Sequence, residues 1–282
     1  MNDVAHSNVC CGVFKEAWQK VKGVKGSYWG SATLISLVVF GGFGMLGLMF
    51  LMLQVAHLPH FIALFKQNPA FFMDPNFVLP ASIVVSLVFY HIAQFLFKIF
   101  MILPMSMGLR LIILRHAAGK PIRAVYGFEF LHWKFIWRFI LLGVLMVLMI
   151  GIPIALGLLC FQAVHAFQLV MYAKWVAIVV GILFFLLSLY LFVSYAFVNF
   201  GIIDRTETSA WQVMEISRKA ISKKWFCMFG TLIWLGIVML IGTLLLGIGL
   251  IWAIPYAQNV VAILYRNMAG IEGHDPVTLS GN

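Results

Sequence analysis

The sequence predicts an all-α fold: a polytopic membrane helical bundle of six transmembrane helices in three repeated hairpin units with interfacial amphipathic segments. Three observations predict it. Of 282 residues, 63% are hydrophobic and 10% charged, with a mean hydropathy of +1.02. Soluble domains carry about 25% charged residues, and so few polar side chains cannot screen an apolar core from water. The apolar residues also fall into runs at least as long as the roughly 20 that cross a bilayer as helix. Finally, the cations collect in alternate loops. Together these features exclude a soluble enzyme, a nucleic-acid-binding domain and a disordered tail.

The elements follow in order. The first 27 residues are polar and lack the apolar centre of a secretory leader. They open with a short tail, 1–11, and an amphipathic stretch in which Phe14, Ala17, Trp18 and Val21 share a face and Glu16 can pair with Lys20. Long runs follow at Tyr28–Ala56, Ala81–Leu114, Phe135–Val164 and Trp175–Ile203. In the first of them Gly41, Gly44 and Gly47 recur at a spacing that allows close helix approach. Around Gly127, the residues Tyr126, Phe128, Phe130 and Trp133 read as an aromatic interface belt. Ser209 and Gln212 have capping-box spacing. They open a second amphipathic stretch whose weakly apolar side is Ala210, Val213, Met214, Ser217 and Ile221, with Glu215 facing Lys219. The last run, Phe226–Met268, is too long for one span, and Gly247 and Gly249 supply the turn that makes two helices of it, six in all.

Charge sets the orientation. Of 19 Lys and Arg residues, four precede the first span, six lie between Arg110 and Arg138, five between Arg205 and Lys224, and Arg266 stands near the end. The opposite side holds only Lys66 and Lys174, with Lys98 inside the second run. The positive-inside rule therefore places both termini in the cytoplasm, and it accounts for the net charge of +10 without a nucleic-acid partner. All nine acids fall outside the long apolar runs or at their edges, so no acidic proton relay is expected. The four cysteines are too scattered for a disulfide framework and are read as reduced.

One segment recurs. Pro104–Gly119 aligns without gaps to Pro255–Gly270, with Pro, Ile, Arg, Ala and Gly coincident. A fainter copy runs from Ser194, through Ile202, to Arg205. Each Arg stands eleven residues after the Pro or Ser. Ala17-Trp18-Gln19 and Ala210-Trp211-Gln212 echo one another upstream. The chain reads as a single membrane domain over 1–282, with units of roughly 12–119, 120–207 and 208–270 and short tails at 1–11 and 271–282.

The C-terminal third carries Ala210-Trp211, Ser217, Lys224-Trp225-Phe226, Gly247 to Trp252, Pro255 and Leu264-Tyr265-Arg266. This pattern resembles the YciC-like bacterial inner-membrane proteins and the membrane domain found beside some glycerophosphoryl diester phosphodiesterases. It covers about sixty residues firmly, between Ala210 and Gly270. The resemblance implies a six-helix protein of the bacterial inner membrane. It carries no phosphodiesterase activity over, because that activity belongs to a separate soluble barrel.

Three sets of residues are candidate sites. His91, Gln94 and Lys98 share one helical face inside an apolar run, where polar groups are expected to face the bundle or water. They could bind an anionic headgroup with Lys98 as counter-charge, or serve packing alone. Arg115, Arg205 and Arg266 could form a ring that holds phosphate, or act as ordinary anchors. Pro104 and Pro255 each remove a backbone hydrogen bond and are candidate hinges. His57, His60 and His165, like His6 with Cys10 and Cys11, make weak ligand sets, so no metal and no cofactor is expected. No catalytic motif is present, and the expected role is non-enzymatic: an accessory or assembly partner in envelope function, in contact with membrane lipids. The alternative is a carrier or binding protein for a lipid or lipophilic anion.

Overall fold

The computed structural model describes residues 11–67, 81–166, 171–245 and 247–271. Among these the chain is helical and contains no strand. Helix α1 (Cys11–Gln67) is unbroken over 57 residues, about 85 Å at 1.5 Å per residue. The amphipathic stretch at its start is thus continuous with the first apolar run. Helix α2 (Ala81–Phe97) passes through a π turn, Lys98–Ile102, into α3 (Leu103–Ala117). Helix α4 (Trp133–Met146) passes through a second, Val147–Gly151, into α5 (Ile152–Ala166). Each π turn ends two residues before a proline, Pro104 or Pro153. A proline cannot donate to the carbonyl four residues back, and the widened turn absorbs the misfit. After α6 (Met171–Ser194) come the short α7 (Val198–Asp204), then α8 (Ala210–Ser222), α9 (Trp225–Leu244) and α10 (Leu250–Met268).

Five stretches are long and apolar enough to cross a membrane: Gly12–Val55, Ile83–Ala117, Trp133–Val164, Met171–Asp204 and Trp225–Leu244. Together with the exposed leucines, valines and phenylalanines along α1, α2, α6 and α9, they make this a multi-pass membrane protein. The last apolar run is divided as expected, with Gly247 at φ +77° in the turn between α9 and α10. Helix α10 is not among the five, because Gln258, Asn259, Arg266 and Asn267 dilute its apolar character.

The core forms where α3, α7 and α10 meet the first turns of α1. Ile112, Ile202 and Ile263, the isoleucines that coincide in the aligned segments, are each no more than 1% exposed. Gly119 and Gly270 end α3 and α10 with φ of +74° and +75°, the left-handed closure that glycine adopts without strain.

Several sequence expectations change in three dimensions. The aromatic belt is not one surface: Phe130 is fully buried, Tyr126 lies under Arg115, and only Trp133 is broadly exposed. The segment folds back as a short 3₁₀ turn, Ala124–Phe128, and Gly127 meets Gly108 of α3 so closely that a Cβ on Gly108 would stand 2.2 Å from the Gly127 carbonyl oxygen. Gly41, Gly44 and Gly47 face open space, whereas Gly42 lies against the ring of Phe97. Cys227 is disulfide-bonded, so the four thiols are not all reduced.

Candidate functional site

Polar chemistry concentrates at one end of the core, where α3, α7 and α10 terminate. The last carbonyls of a helix have no partner within it and carry the negative end of the helix dipole. Here each of the three ends takes a guanidinium from elsewhere in the chain. Arg266 of α10 donates to the Ala117 carbonyl at the end of α3 (2.8 Å), and its two terminal nitrogens grip Glu16 of α1 at 2.9 and 3.0 Å. Arg205, just past α7, donates to the Ala269 carbonyl after α10 (3.3 Å). Arg138 of α4 closes the end of α7 by donating to the carbonyls of Arg205 (3.0 Å), Thr206 and Thr208. Lys20 donates to the His116 carbonyl (3.1 Å) while His116 Nε2 donates to the Lys20 carbonyl (3.0 Å), a reciprocal bridge between α1 and α3.

The three arginines read from the sequence therefore do come to one end, and each of them donates to a carbonyl of the protein itself. Arg115 is buried, donates to the Pro121 carbonyl (3.2 Å) and stacks over Tyr126 at 4.5 Å. Glu16 pairs with Arg266 and not with Lys20. Asp204 accepts from the Tyr265 hydroxyl at 2.9 Å within the core.

The hinge candidates have different surroundings. Pro104 is buried just after its π turn. Pro255 sits within α10 and leaves the Ile251 carbonyl without a helical donor; the indole of Trp29 on α1 fills that place at 3.1 Å. At the matching position of the fainter copy there is no proline, and the helix breaks over Tyr195–Phe197 instead. Ser217 of α8 mends the break, donating to the Ser194 carbonyl (2.9 Å) and accepting from the Phe197 amide (3.3 Å).

Helix α8 starts at the expected capping box, with Ser209 and Gln212 each accepting the other's backbone amide. It buries Ala210, Val213, Met214, Ser217 and Ile221, the side read as weakly apolar. On its other side Glu215 binds Arg218 at 2.7 and 3.0 Å and Lys219 at 3.4 Å. The Arg218 guanidinium, with help from Lys219, holds the Glu215 carboxyl below the usual carboxylate range.

The His91, Gln94 and Lys98 stripe lies on the flank of α2. His91 and Lys98 are exposed and Gln94 is half-buried, so the stripe does not face the bundle interior. Lys98 opens the π turn. The polar contact between α1 and α2 is made elsewhere, by Gln54 donating to Ser86 at 2.8 Å. The side chains of His57, His60 and His165, and residues His6 and Cys10, lie outside the described residues.

Sequence reasoning did not single out Trp29, Arg138 or Pro153 and saw no bond-making role for Ser217. Proline and its i−4 carbonyl were a usable signal for Pro153 and for the open acceptor at Ile251; the donor that answers Ile251 comes from a remote segment and left none. Comparison with family models, curated proteins and solved structures gives no match.

Proposed function

We propose that the chain is a non-enzymatic, six-span protein of the bacterial inner membrane, with both termini in the cytoplasm, acting as an accessory or assembly partner in envelope function. The observation that carries this reading is the use of the polar groups: Arg266 and Arg205 donate to the carbonyls that end α3 and α10, and Arg266 also grips Glu16. Such an arrangement braces a scaffold. Nineteen residues of α10, joined to α9 by the Gly247 turn, support a sixth span. The near-equal closures at Gly119 and Gly270 support repeated units, and the YciC-like pattern in the C-terminal third supports the inner membrane. The exposed His91 of α2 and Lys98 at the start of the following π turn offer a partner a polar foothold beside an apolar flank.

Native mass spectrometry of the full chain extracted in polymer-bounded discs tests this. A stoichiometric protein partner that survives Lys98→Leu is the expected result for an accessory protein that uses several contacts. Absence of any partner, with one enriched lipid that disappears in Lys98→Leu, would replace the accessory reading with a carrier for a lipid or lipophilic anion.

A further inference from the structure

A groove of about 420 Å³ runs between α1, α9 and α10, within the size range of small-molecule sites. Its walls include Trp18, Trp234, Trp252 and Tyr256, and no lining residue is charged. The floor is set by glycine: α9 and α10 approach so closely that a Cβ on Gly249 would stand 2.7 Å from the Gly242 Cα, which leaves the indoles standing proud on either side. Trp18, Trp234 and Trp252 are all more than 40% exposed. This wall is built for a long apolar chain.

A cation stands beside the groove. The Lys25 ammonium lies 4.9 Å from the ring centroid of Trp252, one of the residues that line the groove. Lys25 has no carboxylate partner among the described residues, whereas Glu16, on the same helix, is occupied by Arg266. Lys22, one turn earlier, is exposed. An apolar trough of indoles with an ammonium against one of its rings, and no carboxylate to neutralise it, is complementary to one amphiphile: a long chain carrying a negative head. The groove opens beside exposed Ile237, Leu240 and Ile241 of α9, on a flank made for hydrocarbon.

We propose that this groove binds one anionic phospholipid, with an acyl chain against Trp18, Trp234 and Trp252 and the headgroup against Lys25. The site is independent of the Lys98 face, so it can fail while the accessory reading stands.

Tryptophan quenching by brominated lipid tests it on the full chain. Protein is placed in phosphatidylcholine vesicles in which a fixed fraction is replaced by dibrominated phosphatidylglycerol or by dibrominated phosphatidylcholine. Brominated phosphatidylglycerol should quench with an apparent affinity about fivefold higher, the preference a single well-placed cation confers. Lys25→Gln should abolish that preference, Lys25→Arg should keep it, and Lys22→Gln should leave it largely intact. Trp18→Phe combined with Trp234→Phe and Trp252→Phe should remove the lipid-selective part of the quenching; circular dichroism checks that this variant is folded. Equal quenching by the two lipids would overturn the proposal, as would a preference that survives Lys25→Gln. A preference lost equally in Lys22→Gln would assign it to diffuse surface charge and also overturn it.

Discussion

The ion pair between Glu16 and Arg266 joins residues 250 positions apart, and its removal is the most direct probe of how the bundle is closed. The bonds are bidentate, at 2.9 and 3.0 Å, and Arg266 adds a third to the Ala117 carbonyl at 2.8 Å. Exposed ion pairs contribute about 0.2–1 kcal/mol, and breaking a buried one costs about 3–5 kcal/mol. With Arg266 30% and Glu16 35% exposed, the pair stands between these limits, and a coupling energy of about 1–2 kcal/mol follows. Glu16→Gln, Arg266→Gln and the double variant form a cycle that isolates it. Unfolding in mixed micelles of rising dodecyl sulfate content, read by circular dichroism, supplies the free energies of the unchanged chain and of the three variants. Arg266→Gln should cost about 1 kcal/mol more than Glu16→Gln, because it also strips the end of α3 of its donor. A coupling below about 0.3 kcal/mol, the scatter of independent sites, would refute the reasoning. So would an Arg266 variant no less stable than the Glu16 variant.

The remaining predictions concern packing, caps and pH. Gly108→Ala should destabilise by at least about 1–3 kcal/mol, the usual cost of overpacking, since its Cβ would press on the Gly127 backbone; the same unfolding assay should find Gly41→Ala, in open space, neutral or stabilising by up to about 1 kcal/mol. Ser217→Ala should cost about 1–3 kcal/mol through the backbone groups it leaves unsatisfied at the break before α7, and hydrogen exchange at Phe197 should quicken. Because Arg218 depresses the Glu215 carboxyl, its contribution is present above the unfolded value of about 4.3 and is lost as pH falls through the lower folded value. Unfolding followed from about pH 6 to about pH 3 should show that loss, and Glu215→Gln should flatten that part of the profile.

Much of this architecture is legible without coordinates, because it depends on short stretches of chain. The apolar runs, the Gly247 turn, the Ser209 capping box and the apolar side of α8 are all consequences of composition and local spacing. The aligned Ile112, Ile202 and Ile263 marked positions that the core then buries. Local pattern misled where two adjacent residues offered a plausible pair. Glu16 and Lys20 suit each other on one helix, but a guanidinium from α10 binds the carboxylate with two nitrogens where an ammonium four residues away offers one.

The sequence by itself thus determined that this is a multi-pass helical membrane protein, most of where its helices begin and turn, and which end is positive. Only the tertiary structure decided which helix faces which. In water an apolar stripe marks the buried face, but in a membrane helix the core-facing and lipid-facing sides are equally apolar, so periodicity does not tell them apart. That is why the sequence left open whether the His91 and Lys98 face meets the bundle or water, while the fold leaves both residues exposed. For the same reason, the donors that answer the Ile251 carbonyl and the break after Ser194 could not be chosen in advance. Trp29 and Ser217 fill those roles because the fold brings α1 to α10 and α8 to α6, and a backbone group without a partner in apolar surroundings takes whichever donor arrives beside it.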